Sequence, residues 1–468
     1  MTLTSHRSAV AAGSRPRRGR RTPALLAVAS LAVAATLSGC AGIGGSSTAD
    51  APVEASTELP TEDVTLKLWT VQTGELQTAL QNVIDAYEAE HPNVSIELDY
   101  SDNDSYSKSF KLVMSGDDAP DITECGQGYT QMGPLVDANL VLPLDDYADL
   151  YGWGDRIPSG FLDQSRMDDE GSSFGAGTLY GLPVAGNLLG VYYNRPAVEA
   201  LGIDVSTIET VDDLEAALKE AKAAGDVPLM LGNQDGDAGQ KVWEGLRTSY
   251  QDASAKRDWI YGEDGATVVS DEVTEATTAA QRWAEQGLMY SDAAGTSRGD
   301  GVAKFAQGQG DFMIQGNWYA GDVAAAMGED VGFFALPAAT AGGDPRASGA
   351  TSQPWCLSSK SENPNVAASF LDFLSGDEAA QTLADGGWLP IVDADSVSVE
   401  AGSVKEDVLN VWNSVVEADG LTLWSDWATT SMATTLNPDL QELYAGRLGV
   451  DALLEDVQGD WDEFQADR

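Results

Sequence analysis

The sequence predicts an α/β fold arranged as two domains. Three observations carry that expectation. Short strand patterns alternate with amphipathic helices, and the alternation begins again midway along the chain. About 405 residues follow Asp63, more than one average domain and suited to two. No long repeat or low-complexity tract interrupts them after residue 62.

The elements follow in order. "VTLKLWT" (64–70) alternates as a strand does, and in 75–92 Leu76, Leu80, Val83, Ile84 and Tyr87 share one helical face before Pro92 stops the helix. "NVSIELDY" (93–100) is a second strand, 105–120 a helix ending in a turn, and "DITECG" (121–126) a third strand. Strand, helix, strand, helix, strand implies a mainly parallel sheet. The pattern resumes with a strand at 188–194, an N-capped helix at 211–225, and a helix at 271–288 with Val273, Ala276, Ala280 and Trp283 in register. "GVAKFAQGQGDFMIQGNW" (301–318) reads as helix, turn and strand, and 330–338 as a strand running to Pro337. Residues 340–354, rich in Gly, Pro and Ser, read as a loop; "WCLSS" follows as a strand, 363–384 as two helices, and the tail from Lys405 as helices.

The amino terminus reads as an address rather than as structure. Residues 1–21 hold six Arg and no acid, and they precede a dozen apolar residues ending in Leu37-Ser38-Gly39-Cys40. That is the pattern of a secretory signal, too short to span a bilayer comfortably. The Arg17-Arg18 and Arg20-Arg21 pairs leave both the general and the twin-arginine export routes open. Leu-Ser-Gly-Cys is similar to the lipobox of bacterial lipoproteins, which implies cleavage before Cys40, lipidation of its sulfur and a protein held on the outer face of the cell membrane. Residues 40–62 then form a flexible tether.

Without residues 1–39 the chain keeps 20 basic residues against 74 acidic ones, a net charge of −54, which argues against a nucleic-acid partner. Past the signal His91 is the only histidine, which excludes any multi-His metal site. Cys125 and Cys356 form one disulfide if their strands are neighbours, and otherwise two small buried thiols.

In order along the chain, "LKLWT", "AYEAEHPNVSIEL", "GDDAPDITECG", "GTLYGLPVAGNLLGVYYNRPAVEALGI", "VAKFAQGQGDFMIQGNW", "VGFFALPA" and "NPNVAASFLDFLSGDEAAQTLADGGWLPI" resemble the extracellular solute-binding proteins of ABC importers, in the carbohydrate-binding group that includes maltose-binding protein. The resemblance implies a two-lobed periplasmic-binding-protein fold with a hinge of crossing strands. Lobe one would hold 63–186 and 339–404, lobe two 187–338 and 405–468, with hinges near Val184 to Asn187, at Pro337-Ala338 and at 395–405. It also implies a sugar ligand in the interlobe cleft and delivery to the transmembrane subunits of a permease. A monomer without cofactor, metal or catalytic activity is expected.

A sugar presents C–H patches on its ring faces and hydroxyls at its rim, so its site needs aromatic plates with polar groups around them. By the resemblance Trp318 is a stacking plate of lobe two and Trp388, after two glycines, borders the cleft from lobe one. Asp426 and Trp427 stand in a tail region where relatives supply an aromatic contact, although Asp426 equally caps a helix. Trp424 is a weaker candidate. Lobe one offers Trp69, Gln72 and Glu75 after its first strand and Glu124 and Gln127 after its third; Glu75 equally begins a helix, and Trp69 equally fills the core. Asn187 lies at the first crossover, as ligand contact or turn residue. Gln234 and Trp243 belong to "LGNQDGDAGQKVW", whose Asn233, Asp235 and Asp237 partly match a calcium loop but lack its terminal bidentate Glu. Trp355 either lines the cleft or packs. Trp153, Trp259, Trp283, Trp412 and Trp461 are expected in packing.

Three other functions remain open from sequence, one of them a passive surface adhesin or scaffold, which needs no hinged cleft. A non-sugar polar solute fits the same cleft. A carboxylate-dependent glycoside hydrolase needs no histidine, but no short motif nominates its acid pair.

Overall fold

The computed structural model describes residues 54–101, 103–392 and 396–468. The signal segment and Cys40 lie outside the described residues. None of the described helices is long and apolar enough to cross a membrane.

Twelve strands are present among the described residues: β1 Val64–Thr70, β2 Val94–Tyr100, β3 Ile122–Glu124, β4 Arg166–Met167, β5 Thr178–Leu179, β6 Ala185–Asn194, β7 Phe312–Gly316, β8 Val331–Phe334, β9 Ala347–Thr351, β10 Trp355–Leu357, β11 Leu389–Pro390 and β12 Leu421–Thr422. The first sheet has the order β10-β3-β1-β2, with β1 parallel to both β2 and β3 and β10 antiparallel at the edge. Alternation along β1 sends Leu66 and Leu68 to one face, where they pack in one cluster with Leu80, Val83, Ile84 and Tyr87 of the helix Gly74–Glu90. Burying each such side chain contributes roughly 1.5–3 kcal/mol.

The second sheet is built around β6. Its first residues pair with β11 and β9, and its later ones with β7 and β8 on either side. β6 is buried along nearly all its length, and its residues 188–193 carry no charged or amide side chain. The helices Val211–Ala224, Asp237–Tyr250 and Asp271–Glu285 belong to this half of the molecule. Thr210 caps the first of them through a reciprocal capping box with Asp213.

Three features differ from the sequence reading. The stretch 340–354 contains β9, which belongs to the second sheet although 339–404 was expected in the first lobe. It lacks large apolar residues because three segments meet there. A Cβ on Gly349 would lie 2.5 Å from the Asn187 carbonyl oxygen and 2.9 Å from a Leu421 methyl. The tail is not wholly helical: β12 pairs with β9, and Ser425–Trp427 is a 3-10 turn containing Asp426. Residues 54–62, read as tether, are held on the first half: the Asn93 amide donates to the carbonyls of Pro60 and Glu62, and the Asn365 amide to that of Glu54. The two cysteines are joined. β3 and β10 place Cys356 opposite Thr123, and Cys125 and Cys356 form a disulfide with Cα atoms 5.9 Å apart.

Candidate ligand-binding cleft

A cavity of about 410 Å³ opens between the two sheets, within the size range of small-molecule sites. The parallel strands β1 and β3 end on one edge, where the turns after them supply one wall, and the start of β6 with the end of its antiparallel neighbour β7 supplies part of the other. After β1 come Val71, Gln72 and Thr73; after β3, Gly126 and Gln127; at the start of β6, Gly186 and Asn187; after β7, Asn317, Trp318 and Tyr319. Trp388 enters from beside β11, and Trp424, Asp426 and Trp427 follow β12.

Trp318 and Trp424 stand edge to face, with ring centroids 6.1 Å apart at 60°. Trp427 packs its edge on Phe174, which projects from between β4 and β5, and its Cβ sits against Gly128, where an added side chain would clash. Gly128 is also left-handed, with φ +72°, so both backbone and space favour glycine there. The Trp388 indole donates to the Leu76 carbonyl at 3.1 Å, which fixes its plane at the cavity wall.

A charged row lines the second-sheet side. Asp237 accepts from Arg298 at 2.7 Å and lies 3.5 Å from Lys241. The Lys241 ammonium sits 4.5 Å from the Trp424 ring centroid. Burial alone would push the Asp237 carboxyl up, but the two cations outweigh it and hold it below its usual range. Lys241 is raised: burial opposes its charge, and Asp237 and Asp426 prevail. Asp426 is raised, chiefly by burial, with Lys241 pulling the other way.

Four oxygens at this wall have no hydrogen-bond partner among the described residues: Asn187 Oδ1, Ser352 Oγ, Gln353 Oε1 and Asp426 Oδ1. Their neighbours are satisfied. Gln127 gives its amide hydrogens to Thr351 and Ser352, and Asn187 donates to the Thr351 carbonyl at 3.3 Å. A ligand here meets indole faces and waiting acceptors.

Residues 71–381 match the model of the bacterial extracellular solute-binding protein family. The chain belongs to that family. It is 24% identical over 367 residues to an uncharacterised ABC transporter extracellular-binding protein of Pyrococcus horikoshii, covering 76% of this chain and 77% of the relative. It is 21% identical over 340 residues to the multiple sugar-binding protein of Streptococcus mutans, covering 72% and 75%. Among solved structures, a chitin oligosaccharide binding protein superposes with a TM-score of 0.70 at 24% identity, over 86% of this chain and 99% of that one. These likenesses carry the two-lobed fold, with the cleft lying between the lobes. The family is one of transport receptors, not of enzymes.

Of the residues singled out from sequence, this solute-binding protein brings Trp318, Trp388, Trp424, Trp427, Asp426, Gln72, Gln127 and Asn187 to the cavity. Six others stand elsewhere. Trp69 points to the opposite face, against Tyr106 at 4.1 Å, and donates to Ser101. Glu75 is at the rim, paired with Lys405 at 2.6 Å. Glu124 is fully buried behind the first loop, where it accepts from Thr70 Oγ1, the Val71 N–H and the Gln72 amide; it orders Gln72 instead of meeting solute. Gln234 is exposed. Trp243 is two residues past Lys241, so the helical step of about 100° per residue turns it into the core, where it donates to Thr277. Trp355 is buried within β10.

Lys241, Arg298, Gln353 and Ser352 were missed. The spacing of Asp237 and Lys241, four residues apart on one helix, was a usable sign that they face the same way. Arg298 reaches Asp237 from 61 residues away, and no local pattern reports that. The partial calcium loop has another use: Asn233 accepts from the Gly239 N–H at 2.7 Å, and Asp237 holds cationic side chains.

Proposed function

We propose that the protein is the receptor component of an ABC importer and binds an uncharged sugar, in particular an oligosaccharide, in this cleft. One observation carries the reading: four indoles, Trp318, Trp388, Trp424 and Trp427, line a cavity whose unpartnered buried groups are oxygens. Sugar ring faces pack on indoles, and sugar hydroxyls donate to such oxygens. The charged row disfavours an anionic solute, because Asp237 already holds both Lys241 and Arg298, and Asp322 and Asp426 add two further carboxylates to the wall. The names of the Streptococcus mutans relative and of the chitin oligosaccharide binding protein point the same way.

Cys40 carries the lipid that holds the protein at the outer face of the membrane, the segment before it is removed, and the mature chain is a monomer that passes its sugar to a membrane permease. The lobes hinge where β6, β9 and β12 run side by side, and sugar binding closes them.

The test is a thermal-shift and calorimetric screen of the mature protein against xylo-, chito-, malto- and galacto-oligosaccharides, monosaccharides, polyols, amino acids and aryl glycosides. An oligosaccharide should raise the melting point by an amount that grows with the logarithm of its concentration over its dissociation constant, and no aryl glycoside should be hydrolysed. A shift produced by amino acids and by no carbohydrate would overturn the sugar reading.

A further inference from the structure

Glu244, Arg247 and Lys256 are charged, fully buried and absent from the cavity wall, yet all three lie just behind it. The Lys256 ammonium meets Glu244 Oε2 at 2.6 Å. It also donates to Ser348 Oγ of β9 at 3.2 Å and Thr422 Oγ1 of β12 at 3.3 Å. The other oxygen of Glu244 accepts the Ser425 N–H at 2.7 Å, and Arg247 Nη1 donates to Ser425 Oγ at 2.8 Å. Arg247 lies between the rings of Trp243 and Trp259, 5.3 and 4.6 Å from their centroids, and its Nη2 has no partner among the described residues.

Burying an ion pair stabilises a fold less than filling the same volume with apolar side chains. Stability alone is therefore a poor account of this group. Its contacts give a better one. Besides Gln251, which accepts from Arg247, and Thr248, which accepts from Lys256, the charges reach β9, β12 and Ser425, and Ser425 sits between the cleft residues Trp424 and Asp426. Burial acts most strongly on both members of the pair. Two cations flank Glu244 and hold it below its usual range, whereas Lys256, with one carboxylate partner and Arg247 repelling it, falls to about 8. At neutral pH the pair is charged.

We propose that Glu244, with Lys256 and Arg247, is a positioning group: it fastens residues 424–427, which carry two indoles and a carboxylate into the cleft, to the crossing strands β9 and β12. The inference rests on the cavity being the solute site, but its first test needs no solute. In the mature protein labelled with [15N]Trp, the indole N–H signals of Trp424, Trp427 and Trp388 are assigned by single Trp→Phe changes. Glu244→Ala should shift or broaden the Trp424 and Trp427 signals and leave that of Trp388 in place. Glu244→Gln, which keeps an oxygen for the Ser425 N–H, should restore most of the wild-type positions. The apolar pair Glu244→Leu with Lys256→Met fills the same space should the single change prevent folding, and it should displace the same two signals while melting no lower than wild type. Ser425→Ala, which leaves all three charges, should displace them less. Unmoved Trp424 and Trp427 signals in Glu244→Ala, or in the apolar pair should that single change not fold, would overturn the proposal. A second arm measures affinity for the oligosaccharide that wild type binds in the screen, expected at least tenfold weaker in the apolar pair. If no carbohydrate binds wild type, the sugar reading fails and the indole signals still decide this one.

Discussion

The indole of Trp318 lies over Gly316, two residues earlier in its own chain, so closely that a methyl group on Gly316 would fall within the ring. Gly316 has φ −76°, which any residue adopts, so glycine is there for room and not for backbone freedom. Gly316→Ala should push the indole off this seat and weaken oligosaccharide binding tenfold or more. Trp318→Ala should lose about 2 kcal/mol of binding or more, roughly thirtyfold in affinity, with Trp318→Phe intermediate. Calorimetric titration beside unliganded melting reads both effects, and unchanged affinity in Trp318→Ala would end the stacking account.

Trp243 should behave in the opposite way. It has no face in the cavity, and its indole is held by Thr277 inside the core. Trp243→Ala should cost on the order of 3–5 kcal/mol of stability. At temperatures well below its melting point, affinity should stay within about twofold of wild type. A large loss of affinity with intact stability would place this indole in the binding machinery after all.

The disulfide between Cys125 and Cys356 closes a loop of 231 residues beside two cleft-lining segments. Cross-links over long loops stabilise chiefly by restricting the unfolded chain, and removing one costs roughly 2–5 kcal/mol. The double change Cys125→Ala, Cys356→Ala should lower the denaturant midpoint accordingly. Reductant should then have no further effect on it, while wild type unfolded in reductant should move toward the variant's curve.

Asp311, just before β7, is 2% exposed, and its Oδ2 has no partner among the described residues. Burial, with the like charge of Asp226 adding to it, pushes its carboxyl up to about 6 from 3.8. Between those values the folded protein holds more protons than the unfolded chain, so this group's contribution to stability falls as pH rises through the window. Asp311→Asn should therefore be more stable than wild type at pH 7, by up to about 3 kcal/mol at ~1.4 kcal/mol per pKa unit. The advantage should vanish below about pH 4. Urea unfolding of both proteins at pH 4 and pH 7 checks the sign.

Most elements were legible because their signals are local. The face of Leu80, Val83, Ile84 and Tyr87 in the helix Gly74–Glu90, the alternation in β1 and the apolar run of β6 each declare themselves within a dozen residues. The turns that deliver Gln72, Gln127 and Trp318 were legible too, since each follows a strand pattern and the chain order of the motifs marked where those strands end, whereas Asn187 lies within β6. β9 escaped because crossing strands packed against one another use Ala, Ser, Gly and Thr, which read as loop. Arg298, Ser352 and Gln353 reach the cleft through contacts between segments far apart in the chain, and the disulfide awaited the pairing of β3 with β10. Sequence by itself determined the α/β class, the acidic charge and which turns end strands, because periodicity and composition act over short stretches. Only the tertiary structure decided which aromatic side chains face the cavity and which charges neutralise one another, because both depend on distances set by chain topology.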